Sequence, residues 1–145
     1  MIKIEYPPGD FKRRKEKNVE YIFDALRKRW LLLTPEEWVR QNMIHYVLLK
    51  KYPASLIAVE KEIKLGELIK RCDVVIYSRT AVPFMIIECK EMKVPLSEKT
   101  LEQILRYHIT LPADYLIITN GSYCFGFQKT DNQFIEIDKF PGYPE

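Results

Sequence analysis

Two apolar, β-branched runs, each carrying ionisable groups, constrain this chain more than any other feature. Arg71-Cys72-Asp73-Val74-Val75-Ile76-Tyr77 places an acid inside the first run, and Met85-Ile86-Ile87-Glu88-Cys89-Lys90 ends the second on an acid-x-base triplet. Both otherwise read as buried strands of a sheet. Charged side chains are seldom fully buried unless they are paired or bind metal, so each acid needs a partner. Alternation along a strand sends Glu88 and Lys90 to one side and Cys89 to the other. Asp73 precedes Glu88 by 15 residues, enough for a strand, a short turn and a neighbouring strand. Two carboxylates and one amine are therefore expected to meet at the end of a sheet. That donor set suits a hard divalent cation beside an activated water.

A chain of 145 residues with 47% hydrophobic and 30% charged residues suits a single globular domain. Its apolar stretches fall far short of the ~18 residues of a membrane span. The opening Met1-Ile2-Lys3-Ile4-Glu5-Tyr6-Pro7-Pro8 lacks the apolar core of a secretory signal. Cys72, Cys89 and Cys124 show no CxxC spacing and are expected to be buried small hydrophobes rather than disulfide partners. With only His45 and His108 to assist them, a zinc site is not expected. This cysteine usage suits a reducing, cytoplasmic compartment. The net charge of +3 does not by itself identify a nucleic-acid binder. Lys12-Arg13-Arg14-Lys15-Glu16-Lys17 packs five basic groups into six residues. A solvated arm is the plainer expectation for it, and phosphate contact the alternative.

Residues 1 to about 18 are expected to form an irregular basic lead-in, and residues 19–145 one domain with its core at about 34–128. Tyr21-Ile22-Phe23 and Arg29 to Leu33 predict a hairpin around Asp24 to Arg27. Thr34-Pro35-Glu36-Glu37 announces a helix running to about Lys51, with Thr34 as N-cap and Glu37 completing a capping box. Strands are expected over Leu56 to Leu65, Ile69 to Ser78 and Phe84 to Lys90. A second helix follows, capped by Ser97, with Leu101, Ile104, Leu105 and His108 at helical spacing. Strands at Tyr115 to Thr119, Tyr123 to Gln128 and Phe134 to Ile137 finish the sheet, and Asn120-Gly121 predicts a two-residue hairpin turn.

The core thus reads helix, strand, strand, strand, helix, strand, with Asp73 on the second strand and Glu88-x-Lys90 on the third. This arrangement resembles the PD-(D/E)xK nuclease superfamily, and within it the N-terminal nuclease domain of type I restriction enzyme R subunits. The matching segments are Thr34-Pro35-Glu36-Glu37-Trp38-Val39-Arg40-Gln41, Val59-Glu60-Lys61-Glu62-Ile63, Asp73-Val74-Val75-Ile76-Tyr77, Ile87-Glu88-Cys89-Lys90 and Gln103-Ile104-Leu105-Arg106-Tyr107. Cys72 stands where the superfamily's name pattern has proline. No G-x-x-x-x-G-K-[ST] occurs, so this chain carries no ATP-driven P-loop motor.

The resemblance implies an α/β, restriction-endonuclease-like fold, a central mixed sheet flanked by helices behind an N-terminal hairpin. It implies a metal-dependent endonuclease acting on nucleic acid, DNA before RNA, with no membrane partner. Asp73, Glu88 and the backbone carbonyl of Cys89 would hold Mg²⁺, with Mn²⁺ as substitute, and Lys90 would orient water or offset phosphate charge. An acid on the first helix, here Glu37, often completes such a site, and Gln103 and Tyr107 help to position it. Cutting both strands of a duplex calls for two active sites, so a homodimer is one arrangement for this chain.

Each residue also has a plainer role open to it. Asp73 can pair with Arg71 on its own strand face. Glu88 and Lys90 can form an exposed strand-end pair, and the capping box alone can account for Glu37. Gln103 and Tyr107 can belong to an ordinary polar helix face, His108 is expected to pack at the core edge, and Glu60 and Glu62 to face solvent. A catalytically silent module of nuclease fold, binding nucleic acid or a partner protein, is the alternative function.

Overall fold

Left-handed backbone at paired turn residues divides the strand-rich sequence into hairpins. Lys17-Asn18 and Asp131-Asn132 both have consecutive positive φ values, the signature of two-residue turns whose twist matches that of the flanking strands. The computed structural model describes residues 1–144. Lys17-Asn18 joins β1 (Arg13–Glu16) to β2 (Val19–Asp24), and β3 (Arg29–Leu32) completes a three-stranded antiparallel sheet. The hairpin around Asp24 to Arg27 is thus present. The basic run is not an irregular arm, however, because Arg13–Glu16 is an edge strand. Its cations lie over aromatic rings, with Arg14 4.4 Å from the Trp30 centroid and Arg13 5.6 Å from that of Trp38.

α1 (Pro35–Leu49) begins where Thr34 Oγ1 accepts the Glu37 amide at 3.0 Å. The expected reciprocal half of the capping box does not form. The Thr34 amide donates to the Leu32 carbonyl instead, and the Glu37 side chain turns toward Arg40. The helix ends at Leu49, slightly short of the expected Lys51, as left-handed Lys51 leads into Tyr52-Pro53.

After a 3₁₀ turn (Ala54–Leu56) come β4 (Ile57–Leu65), β5 (Leu68–Tyr77), β6 (Pro83–Cys89), α2 (Glu98–His108), β7 (Tyr115–Thr119), β8 (Cys124–Thr130) and β9 (Gln133–Ile137). These six strands form one sheet in sequence order, antiparallel except for β6–β7. A parallel pair requires a crossover, and α2, capped by Ser97, supplies it. The β7–β8 loop is four residues, not the expected two. Asn120 is buried and its side chain spans the loop, accepting from Ser122 and Tyr123 and donating to Val94.

One face of the sheet (Val74, Ile76, Met85, Ile87, Ile117) packs with Val39, Met43, Ile44 and Val47 of α1. The other (Ile63, Cys72, Val75, Ile86, Leu116, Ile118) packs with Ile104 and partly buried Leu101 and Leu105 of α2. The domain is therefore a mixed α/β sandwich of helix, sheet and helix, as the element order predicts. All three cysteines are free and buried.

The alternation breaks at one place. Ile57 and Val59 pack on the α1 side, yet Ile63 and Leu65 pack on the α2 side, although an even spacing should keep them together. Cys72 and Val74 likewise belong to opposite layers. Between them, Glu60 (φ 51°) faces Asp73 across the ladder, and neither makes a strand pair there. Both strands change faces at the acids.

Candidate functional site

The break aligns three acids. Val59 pairs with Val74 and Val74 with Ile87, so Glu60, Asp73 and Glu88 occupy one row across β4, β5 and β6. The β5–β6 ladder ends just before this row. Past it, the Cys89 amide is satisfied by the Asp73 side chain, whose Oδ2 accepts it at 2.8 Å. The Asp73 carboxylate therefore sits against the Glu88–Cys89 peptide. Burial and the Glu88 charge push its pKa up to about 6, despite opposition from the Cys89 amide and Arg40. Two carboxylates crowd one another here, as the strand spacing predicts.

Lys90 lies on the Glu88 side, its ammonium 3.5 Å from Glu88 Oε1. Glu88 Oε2 faces His108 Nε2 at 3.4 Å. Glu88, Lys90, Gln103, Tyr107, His108 and Arg71 line an open cleft of about 300 Å³ with Ile104 at its base. The Tyr107 hydroxyl accepts the Arg71 amide at 3.2 Å, and the Tyr107 carbonyl accepts from Lys70, tying α2 to β5. Gln103 and Tyr107 thus share the cleft with the Glu88–Lys90 pair. A larger cavity of about 370 Å³ lies between the N-terminal sheet and α1. Its buried acid, Asp24, is held by Leu26, Arg27 and Gln41.

Glu37 joins a different assembly. It is 7% exposed and bonds Arg40 at 2.7 Å and Gln41 at 3.1 Å, with Arg27 at 3.5 Å. Arg40, 5% exposed, also reaches Glu36 (3.0 Å), Glu60 (3.3 Å) and Asp73 (3.3 Å). Glu37 is thus linked to Asp73 through Arg40, and its side chain is not spent on the helix cap. Burial works against the Arg40 charge, but Glu37, Asp73 and Glu60 more than offset it. Arg71 does not pair with Asp73 as the strand face allowed; it pairs with Glu60 at 3.4 Å. Glu60, its side chain 32% exposed, is held by Arg27, Arg40 and Arg71 and is not a free solvated acid.

A family model described as the type I restriction enzyme R protein N terminus matches residues 35–141. The chain belongs to that family. No curated protein matches it. In this R-protein N-terminal domain the match spans α1 and the whole six-stranded sheet, with Glu36, Glu37, Glu60, Asp73 and Glu88, and the three-stranded N-terminal sheet precedes it.

Asp73 and Glu88 are the residues of the R-protein domain that could hold a metal ion. Among the described residues no three His, Cys, Asp or Glu side chains converge as a ready metal cage. Magnesium does not need one, because it commonly takes one or two carboxylates and fills the rest of its octahedron with water or phosphate oxygens. Asp73, whose charge is made costlier by Glu88, and Glu88 itself are the two carboxylates that could serve.

Arg40 was not singled out by the sequence, and His108 only as a packing residue. Arg40 lies three and four residues after Glu37 and Glu36, a spacing that places all three on one helix face. His108 is buried as expected, but it packs against Glu88, and among the described residues neither ring nitrogen has a hydrogen-bond partner.

Proposed function

We propose that this chain is a Mg²⁺-dependent endonuclease that hydrolyses phosphodiester bonds, with DNA the favoured substrate. The observation that carries this is the Asp73 carboxylate seated on the Glu88–Cys89 peptide, with Lys90 beside Glu88 at the mouth of a polar cleft. Membership of the R-protein N-terminal family supports it. Mg²⁺ held by Asp73, Glu88 and the Cys89 backbone carbonyl, or Mn²⁺ in its place, would polarise the scissile phosphate and acidify a bound water. Among the described residues Lys90 is the only amine lining the cleft beside Glu88, so it orients that water or offsets charge growing on the phosphate. Gln103 and Tyr107 contact the nucleic-acid backbone across the same cleft. Glu37 acts at one remove, holding Arg40 against Asp73.

One observation favours the silent-module alternative. Both Asp73 oxygens are engaged, one by the Cys89 amide and one by the Arg40 guanidinium. A metal would have to displace or share with Arg40. Incubation of supercoiled and single-stranded DNA with Mg²⁺ or Mn²⁺ separates the two. Cleavage by wild type that is lost in Asp73→Ala, Glu88→Ala and Lys90→Ala, with strongly non-additive losses in the double variants, supports the nuclease. Binding without cleavage under either metal assigns the chain to the silent module. A duplex needs both strands cut, and a homodimer would supply the second site.

A further inference from the structure

The three-stranded N-terminal sheet lies outside the matched region and contributes no side chain to the acid row, yet it carries the chain's excess positive charge. Residues 12–32 hold eight basic and three acidic side chains, whereas the rest of the chain holds 15 basic and 17 acidic. Directly opposed residues on antiparallel strands share a face. Tyr21 opposes Arg14 and Leu32, and Phe23 opposes Trp30 and bonds the Lys12 backbone. One face of this sheet therefore presents Lys12, Arg14 and Glu16 beside Val19, Tyr21, Phe23, Trp30 and Leu32. The opposite face buries Ile22 completely and turns inward.

The outer face interleaves cations with rings. Arg14 stands 4.4 Å from the Trp30 centroid and 5.8 Å from Tyr21, and Lys12 stands 5.7 Å from Phe23. Such stacking fixes the cations on the sheet without neutralising them. Among the described residues Lys12 makes no ion pair, and Arg14 only one, at 3.5 Å to exposed Glu16. Leu32, at 54% exposed, and Val19, at 37%, leave apolar surface on the same face. The sheet also abuts the acids, because Arg27 in its β2–β3 turn bonds Glu60, and Leu31, Leu32, Glu37, Arg40 and Glu91 share one concavity.

We propose that this outer face is a binding platform for single-stranded nucleic acid, with Lys12 and Arg14 on the phosphates and the Trp30 and Tyr21 rings under the bases. The choice of ligand rests on the nuclease reading; the surface itself does not. Phosphate contact accounts for the unpaired cations, and stacking on rings is the mode by which single strands are held without sequence preference.

The test is binding of a fluorescent oligothymidylate 20-mer to the full chain in EDTA, where cleavage is impossible. Each single-strand phosphate contact contributes roughly 0.7 to the slope of log affinity against log salt. Lys12→Gln/Arg14→Gln should therefore lower that slope by about 1 to 1.5. Trp30→Leu should weaken binding by roughly tenfold, the scale of one lost base stack. The charge-matched control Lys64→Gln/Lys139→Gln, made at exposed sites on the larger sheet and after β9, should leave the slope near wild type. Equal losses in both double variants would overturn the proposal, as would tighter binding of duplex than of single strand. Loss of DNA cleavage in the active-site variants with oligothymidylate binding intact would leave it standing, so its fate and that of the nuclease reading are separable.

Discussion

Replacing Asp73 by asparagine should stabilise the metal-free protein at neutral pH and leave it unable to cleave. An ordinary aspartate ionises near 3.8, whereas burial and the Glu88 charge move Asp73 to about 6. Between those values the native state binds more protons than the unfolded chain, so stability falls as pH rises through this window. The penalty is absent below about pH 4 and complete above about pH 6, and at 1.36 kcal/mol per unit it is of order 3 kcal/mol. Asparagine removes it while its side-chain oxygen can still accept the Cys89 amide. The attraction between the Asp73 charge and Arg40 at 3.3 Å is already contained in that net shift, so a gain of about 2–3 kcal/mol is expected above pH 7. For a domain of this size that corresponds to a melting temperature higher by roughly 6–9 °C. Thermal melts of both proteins in EDTA at pH 4.5 and 7.5 are the assay. The gain should be full at pH 7.5 and fall to about a third of that at pH 4.5. Millimolar Mg²⁺ should then raise the melting temperature of wild type and not that of the variant. A variant less stable by the same amount at both pH values would refute the crowding of Asp73 by Glu88.

Arg40→Met should cost about 3–5 kcal/mol in urea unfolding, because Glu37 and Asp73 would keep buried charge without its counter-ion. Glu37→Gln leaves the Thr34 cap intact, since that cap uses the Glu37 backbone amide. It should reduce cleavage only a few-fold if Glu37 works through Arg40, and complete loss would place its carboxylate on the ion. Gly126→Ala builds a Cβ 2.5 Å from Ile2 Cδ1 and 3.0 Å from Ile137 Cγ1. It should destabilise by about 1–3 kcal/mol and speed hydrogen exchange of the Ile2 amide, which donates to Cys124. Tyr107→Phe removes the acceptor of the Arg71 amide and should weaken substrate binding more than turnover, read as a rise in KM.

The sandwich was legible because its layers announce themselves locally. Thr34-Pro35 and Ser97 open the two helices, and the apolar runs at 74–76, 85–87 and 116–118 lie between turn residues. β1 was not legible, since Arg13-Arg14-Lys15-Glu16 has no apolar alternation. What makes it a strand is the left-handed Lys17-Asn18 turn and the rings of β2 and β3 beneath its cations. At the site, Glu88 and Lys90 followed from strand periodicity alone. The bond between Asp73 and Arg40 joins residues 33 apart and depends on α1 lying over the sheet, which no local pattern encodes. The misplacement of Glu60 has a similar origin. Simple alternation carries a strand straight through it, and only a backbone turned to φ 51° brings it to Arg27 and Arg40.

That turn gives the β4–β5 hairpin something like a reading frame. Upstream of Glu60 the odd-numbered apolar residues face α1, and beyond it the odd-numbered ones face α2. Deleting Glu60 would therefore do more than remove an acid. It would restore uninterrupted pleating and leave Ile63 and Leu65 on the α2 side, but it would move the β4–β5 pairing by one residue out to the tip. Ile63 would then oppose Arg71 in place of Lys70, and the two would share a face only if β5 lost its own slip at Asp73. The two slips are compensating errors in the alternation, and each makes sense only with the other. Substitutions at positions 60 and 73 change chemistry at a point, but insertions or deletions between them should scramble a whole layer. The hairpin that carries the acids is thus tolerant of altered side chains and intolerant of altered length.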